Sequence, residues 1–302
     1  MSTRWRTFFQ LVRLPNLFTA PPDVLAGAFC AGVALEGVSG AEAGLLAMLG
    51  LASMHFYAGG VVLNDVFDAR RDALERPDRP IPSGAISPAA AARLFVLLIL
   101  AGLTLAFAAS NRAGVVALLL VGCMVLYDGA LKRTPAAPWL MGACRSLNLL
   151  TGASAFTATF SAREIVAAST LGGYVALLTL LARDETKPGR NRVRRLCLIA
   201  MWIVLVTGFL WMGRLGPAPD GLGAPVIVVT TVVGIVALNA LFRRDWRELS
   251  PDVLRMLIPA LIALIVAIDA CVVWIFGGWV YGLLTMLFLI PFLIPLIWYE
   301  AT

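Results

Sequence analysis

Apolar residues in this chain run in long blocks, and polar residues collect in short islands between them. The blocks cover residues 17–36, 42–64, 90–109, 112–128, 138–160, 163–182, 195–213, 223–242, 255–276 and 278–298. Each has the length of a helix that crosses a bilayer, which takes ~20 largely apolar residues within a range of ~17–25. Only Gly277 and Gly278 part the last two blocks, so the pattern predicts nine to ten spans. The expected fold is all-α, a polytopic transmembrane helical bundle forming one domain over residues 1–302. Ahead of the first block, MSTRWRTFFQLVRLPN is basic and amphipathic and has no small-residue cleavage site. It reads as a membrane-surface helix leading into the first span, not as a removable signal.

Composition excludes a water-soluble fold. The chain is 60% hydrophobic and 14% charged, against a charged share of roughly 25% in soluble domains. Mean hydropathy is +0.87. The five cysteines (Cys30, Cys123, Cys144, Cys197 and Cys271) lie in or beside apolar blocks without a CxxC pair, and they read as small buried hydrophobes.

Charge placement sets orientation. Of 24 Lys and Arg, 20 stand at the N-terminus or in and beside the connections 65–92, 129–137, 183–194 and 243–254. Only Arg112, Arg163 and Arg214 fall in the alternate connections, and Arg145 lies inside a span. Short loops rich in Lys and Arg stay in the cytoplasm. The expected location is therefore a bacterial inner membrane with the charged loops cytoplasmic. The net charge of +6 follows from that topology and does not point to a nucleic-acid partner. The sequence leaves monomer and homo-oligomer equally open.

Four polar clusters gather toward that face. The first is the run NDVFDARRD from Asn64 to Asp72. Asp65, Asp68 and Asp72 stand i, i+3, i+7, which puts three carboxylates on one helical face with Asn64 beside them. A row of acids repels itself unless a cation sits there, and Mg²⁺ suits it, being bound through one or two carboxylates plus substrate phosphates. The second is Tyr127-Asp128-Gly129-Ala130-Leu131-Lys132-Arg133, where Lys132 can supply a point charge to a phosphate. The third is Asp184 and Glu185, following Arg183, a second acidic pair able to hold a second metal or to be ordinary loop charge. The fourth lies within the spans: Arg145 and Asn148 at i, i+3, Arg13 and Asn16 with the same spacing, and Asp269. A charge at membrane depth costs ~2.5–3.5 kcal/mol or more, so Arg145 and Asp269 either pair with each other or line a polar pocket. His55, the only histidine, reads as a packing residue.

Carboxylates for a metal, a lysine for phosphate and a large apolar interior describe an amphiphilic substrate, a long hydrocarbon with a diphosphate head. The chemistry such a site favours is ionisation of an allylic carbon–oxygen bond in a cavity that keeps water from the cation.

The residues also resemble a known family. NDVFDARRD is similar to the NDxxDxxxD motif of the UbiA superfamily of intramembrane prenyltransferases. RPIPSGAIS, beginning at Arg79, resembles the segment that follows this motif, with a likeness to chlorophyll synthases. YDGALKR, beginning at Tyr127, resembles the Y-x-x-x-x-K-R segment after the fourth span. The resemblance covers most of residues 10–195. It implies a bundle of about nine spans around a central cavity open to lipid, with two Mg²⁺ ions between two acidic motifs. It carries Asn64, Asp65, Asp68 and Asp72 to the first motif and Lys132 to diphosphate contact. Arg13, Asn16, Arg79, Tyr127, Arg145, Asn148 and Asp269 are then expected around the substrates. The second motif departs from the family pattern: four residues beyond Asp184 stands Pro188 in place of an acid. GACRSLNLLTGAS and the IDA around Asp269 look more like the EboC branch.

The leading expectation is a Mg²⁺-dependent transfer of an isoprenyl group from a polyprenyl diphosphate to a small or amphiphilic acceptor within the membrane lipid. Two alternatives stand beside it. One is a terpene cyclase, whose cation would be held by aromatic residues of the far spans (Trp202, Phe209, Trp211, Trp274, Phe276, Trp279). The other is a non-catalytic prenyl-lipid binder or translocator, suggested by the thin second motif.

Overall fold

A computed structural model describes residues 3–33, 37–183, 191–216 and 251–292. Among the described residues every regular element is helical and there is no strand. The chain opens with α1 (Thr3–Leu11) and one short turn, α2 (Leu14–Leu17). In α1, Trp5 is exposed while Leu11 is fully buried, as expected of a helix lying along a surface. Next come α3 (Pro21–Cys30), α4 (Gly40–Glu75), α5 (Pro88–Ala109) and α6 (Asn111–Leu126), the last running into a π-turn over Tyr127–Leu131. They are followed by α7 (Ala137–Ala153), α8 (Ala162–Ala182), α9 (Asn191–Leu215), α10 (Pro251–Gly277) and α11 (Trp279–Met286).

Helix starts are fixed by local chemistry. Ser39 and Glu42 form a reciprocal capping box on α4, and Ser161 and Glu164 do the same on α8. Each satisfies two backbone donors that no helical carbonyl can reach. Ser87 and Ser110 cap α5 and α6 through the amides of Ala90 and Ala113. Gly278, at φ 94°, turns the chain between α10 and α11 in a conformation that disfavours other residues.

Among the described residues six helices are long and apolar enough to cross a membrane, which makes this an integral membrane protein. They match six of the expected spans. The expected count of nine to ten is not reached among the described residues. Among the described residues, the block at 17–36 contains the ten-residue α3, that at 138–160 the greater part of the 17-residue α7, and that at 278–298 a short apolar helix over Trp279–Phe292. The block at 223–242 lies outside the described residues.

Sequential helices pack as neighbours from α4 to α9, and α10 returns to pack on α3. The α3 helix also touches α4, α7 and α8, so it stands inside the bundle. One core joins α3, α8, α9 and α10 around Tyr174, Leu171 and Leu181, and a second joins α4, α5 and α6 around Phe56, Ile99 and Leu120. Leu97, Leu100, Leu118 and Leu119 on α5 and α6 face outward, as suits a lipid boundary. The contact of α3 with α7 is a close one. A Cβ on Gly27 would lie 1.9 Å from the Leu149 carbonyl oxygen, and one on Gly152 would lie 2.1 Å from that of Val24. Small residues let membrane helices approach backbone to backbone, and here they bring the polar residues of α7 against α3.

Candidate active site

A cavity of about 420 Å³ opens between the two cores. Most of its wall is apolar: Leu120 and Met124 of α6, Val175 and Leu178 of α8, and Ile258, Ile262 and Ile265 of α10. One stripe of α4 runs its length. Ser53, Tyr57, Gly60 and Asn64 all line it, a spacing of i, i+4, i+7, i+11 that keeps them on one face. From Ser53 to Asn64 is about 16 Å of helix rise, so the cavity has a mouth and a depth.

The mouth forms because α4 is 36 residues long. At about 54 Å it exceeds a hydrocarbon core of ~30 Å, and its acidic end projects beyond it. Three basic side chains from three other segments meet the acidic row. Arg13 donates to Asp65 at 3.0 Å, and Arg79 reaches Asp72 at 2.6 Å and Asp65 at 3.4 Å. Lys132 donates to Asp68 at 2.5 Å, to Asp128 at 3.4 Å and to the Asn64 side-chain oxygen. Its ammonium lies 5.9 Å from the centre of the Tyr127 ring. Asp65 and Asp72 are buried, whereas Asp68 keeps 22% of its side-chain exposure.

Local backbone geometry presents these cations. Arg13 has φ 48°, the one positive φ of a residue other than glycine among the described residues; such a conformation costs of order 1–3 kcal/mol and persists where the surroundings impose it. Lys132 follows the π-turn, a distortion found frequently at functional sites. Arg79 sits in the tight connection after α4, where its carbonyl accepts the Ser83 amide at 3.0 Å.

Of the expected site residues, Arg13, Asn64, Tyr127, Arg145 and Asn148 line the cavity. Asp65, Asp68, Asp72, Arg79 and Lys132 form the ion-pair ladder at its mouth. Asn16 does not line the cavity; its carbonyl accepts the Thr19 hydroxyl at 2.8 Å. Asp184 and Glu185 lie outside the described residues. Their neighbour Arg183 donates to the carbonyls of Arg133 and Thr134 at 2.8 and 3.0 Å, which ties the end of α8 to the loop after Lys132.

The intramembrane residues correct an expectation. Arg145 does not take its ion-pair partner from Asp269; it meets Asp23 of α3, at 3.0 Å. The same guanidinium donates to the Thr19 carbonyl and hydroxyl at 2.9 Å each, and it stands 5.4 Å from the Tyr57 ring centre. Asn148 donates to the Ala20 carbonyl at 2.9 Å and to Asp23 at 2.8 Å. The close α3–α7 crossing explains the choice, because it sets Asp23 directly against α7. Asp269 is fully buried, lies off the cavity, and interacts electrostatically with Asp23 and Arg145. Asp23, Ser53, Tyr57 and Asp128 were not singled out from sequence. Asp23 carries the same signal as Asp269, an acid inside an apolar block.

The aromatic residues of the far spans do not form a cation-holding wall. None of Trp202, Phe209, Trp211, Trp274, Phe276 and Trp279 lines the cavity. His55 bonds only within its own helix, to the Leu51 carbonyl at 2.7 Å.

The mouth offers oxygen donors only, which suits a hard divalent cation. Among the described residues no three of His, Cys, Asp and Glu converge as a metal cage. The fit is to a metal held by one or two carboxylates and completed by substrate oxygens.

Comparison with known proteins agrees with this architecture. A digeranylgeranylglyceryl phosphate synthase from Methanopyrus kandleri is 36% identical over 145 residues, covering 46% of this chain and 51% of that protein. A protein of the same name from Methanothrix thermoacetophila is 34% identical over 131 residues, covering 43% and 47%. The chain thus matches about half the length of these curated relatives, and their archaeal origin lends no support to the expected bacterial membrane. In fold it is similar to a UbiA homologue from Archaeoglobus fulgidus solved with GPP and Mg²⁺, with TM-score 0.64 and 14% identity over 93% of this chain and 99% of the other. It is also similar to a digeranylgeranylglyceryl phosphate synthase structure, with TM-score 0.61 and 19% identity over 91% and 99%. The model of the UbiA prenyltransferase family matches residues 24–258, and the chain belongs to that family.

Proposed function

We propose that this protein is a Mg²⁺-dependent prenyltransferase, moving an isoprenyl group from a polyprenyl diphosphate to a small or amphiphilic acceptor with diphosphate leaving. The observation that carries this reading is the ladder at the mouth. Four carboxylates (Asp65, Asp68, Asp72, Asp128) interleave with three cations (Arg13, Arg79, Lys132) where an apolar cavity opens. The names of the curated relatives, and the UbiA homologues solved with GPP or DMAPP and Mg²⁺, support a prenyl diphosphate donor.

Asp65 and Asp68 would be the main ligands of the metal, with Asn64 and Asp72 supporting them, and Asp184 and Glu185 are proposed for a second site. Bound there, the metal would neutralise charge developing on the departing diphosphate. The residues of the chain do the rest. Lys132, Arg79 and Arg13, released from their carboxylates, turn to phosphate oxygens and hold the head group at the mouth. Tyr127 packs beside Lys132 and limits where that head can sit. The hydrocarbon lies along Leu120, Met124, Leu178 and Ile262, which exclude water from the allylic cation until the acceptor attacks. Following the distribution of Lys and Arg, we place the mouth on the cytoplasmic side.

Purified protein given Mg²⁺, labelled geranylgeranyl or farnesyl diphosphate and a panel of acceptors tests the reading. Diphosphate release that requires both Mg²⁺ and an acceptor is expected. Binding of the labelled donor without release, across the panel, would instead favour the prenyl-lipid binder that the thin second motif suggests.

A further inference from the structure

The depth of the cavity differs in chemistry from its mouth. Ser53 is 2% and Asn148 5% exposed, both line the cavity, and Ser53 Oγ and Asn148 Oδ1 have no hydrogen-bond partner among the described residues. The orientation of the Asn148 amide is fixed by its surroundings. Its nitrogen faces two acceptors, the Ala20 carbonyl at 2.9 Å and Asp23 at 2.8 Å, so the remaining atom can only be the oxygen. That oxygen accepts and cannot donate. Such a buried polar atom favours an occupant that brings a donor to it.

Among the described residues no unpaired cation is left at this depth for an anion. The lining arginine at this depth, Arg145, already meets Asp23 at 3.0 Å, whereas Arg13 belongs to the mouth. Arg145 is paired with Asp23 behind the cavity floor, and Asp269 is buried beside them. A phosphate or carboxylate oxygen placed there would set an acceptor against Asn148 Oδ1 and, among the described residues, would find no unpaired cation at this depth to neutralise it.

We infer that the acceptor is a neutral molecule bearing hydroxyl or N–H donors, anchored at Asn148 and Ser53 in the depth of the cavity, and not an anionic phosphate or carboxylate. The inference rests on the prenyl-transfer reading above and adds the chemical class of the second substrate. It separates this chain from what the names of its curated relatives denote. Sites built to hydrogen-bond a substrate hydroxyl discriminate strongly against analogues that cannot supply it.

The test uses a matched pair of probes, a tritiated monoalkylglycerol and its phosphate ester, bound directly to the full-length protein in detergent. Tighter binding of the neutral probe by tenfold or more is expected. Ser53→Ala and Asn148→Leu should each weaken the neutral probe severalfold more than the ester. Ser53→Ala breaks no hydrogen bond within the described residues and keeps the test open if Asn148→Leu fails to fold. Equal binding, preference for the ester, no binding of either, or equal effects of Ser53→Ala on both would overturn the inference. Diphosphate release is read separately. Its absence with selective neutral binding would count against prenyl transfer alone, and its presence with ester preference would count against the acceptor class alone.

Discussion

The two ends of the cavity hold charge in opposite ways. At the mouth, Arg13, Arg79 and Lys132 retain 36, 22 and 23% of their side-chain exposure while paired to acids. At the depth, Arg145 retains 12% and Asp23 none. Water and substrate can reach the first set, so its ion pairs are worth little in stability and can exchange partners. The second set is sealed by the α3–α7 crossing, and removing one member would strand a buried charge. We therefore propose the mouth as the place for chemistry on a charged group, with the Asp23–Arg145 pair as a structural clamp behind it.

Each end can be broken separately. The largest expected effect is at the depth: Asp23→Ala should destabilise the protein by about 3–5 kcal/mol, the loss typical when one partner of a buried pair is removed. Thermal unfolding in detergent would measure it, and Asp23→Ala combined with Arg145→Met should recover part of the loss. At the mouth, Asp65→Ala and Asp68→Ala should each lower Mg²⁺-dependent turnover by about 10²–10³-fold or more, the scale of losing one preorganised electrostatic group, and Asp68→Ala, at the more exposed of the two acids, should leave the unfolding temperature almost unchanged. Unchanged turnover in either variant would remove the proposed metal site. Lys132→Met should cost roughly 1.5–3 kcal/mol of transition-state binding, as for hydrogen bonds to charged groups, read as a 10- to 150-fold fall in kcat/KM for the prenyl diphosphate. Gly152→Ala tests the crossing itself; its Cβ would meet the Val24 carbonyl oxygen at 2.1 Å, so about 1–3 kcal/mol of stability should be lost. Arg71→Ala is the control, removing a solvent-exposed pair with Glu75 at a cost within about 0.5 kcal/mol.

The mouth was legible in sequence because its acids share one helix, where a period of 3.6 residues fixes which face they occupy. Lys132 was legible because it follows the end of an apolar block on the same predicted side as the acids. The depth was harder to read. Asp23 and Asp269 are both single acids in apolar blocks, and nothing local distinguishes them as partners for Arg145. Ser53 and Tyr57 fall on the same stripe of α4 as Asn64, a periodicity visible in the sequence once Asn64 is taken as one end of the proposed site.

The sequence by itself determined that this is a helical membrane protein with a row of carboxylates on one helical face at the end of an apolar block, because hydrophobic block length and helical spacing are local properties of the chain. Tertiary structure alone decided the rest. Contacts between α3 and α7, far apart in sequence, gave Arg145 to Asp23, and packing of α4, α6, α7 and α8 around one space set Ser53 and Asn148 on the same cavity. Ion-pair choice and cavity lining depend on which backbones can approach each other, and at Gly27 and Gly152 the missing side chains permit that approach.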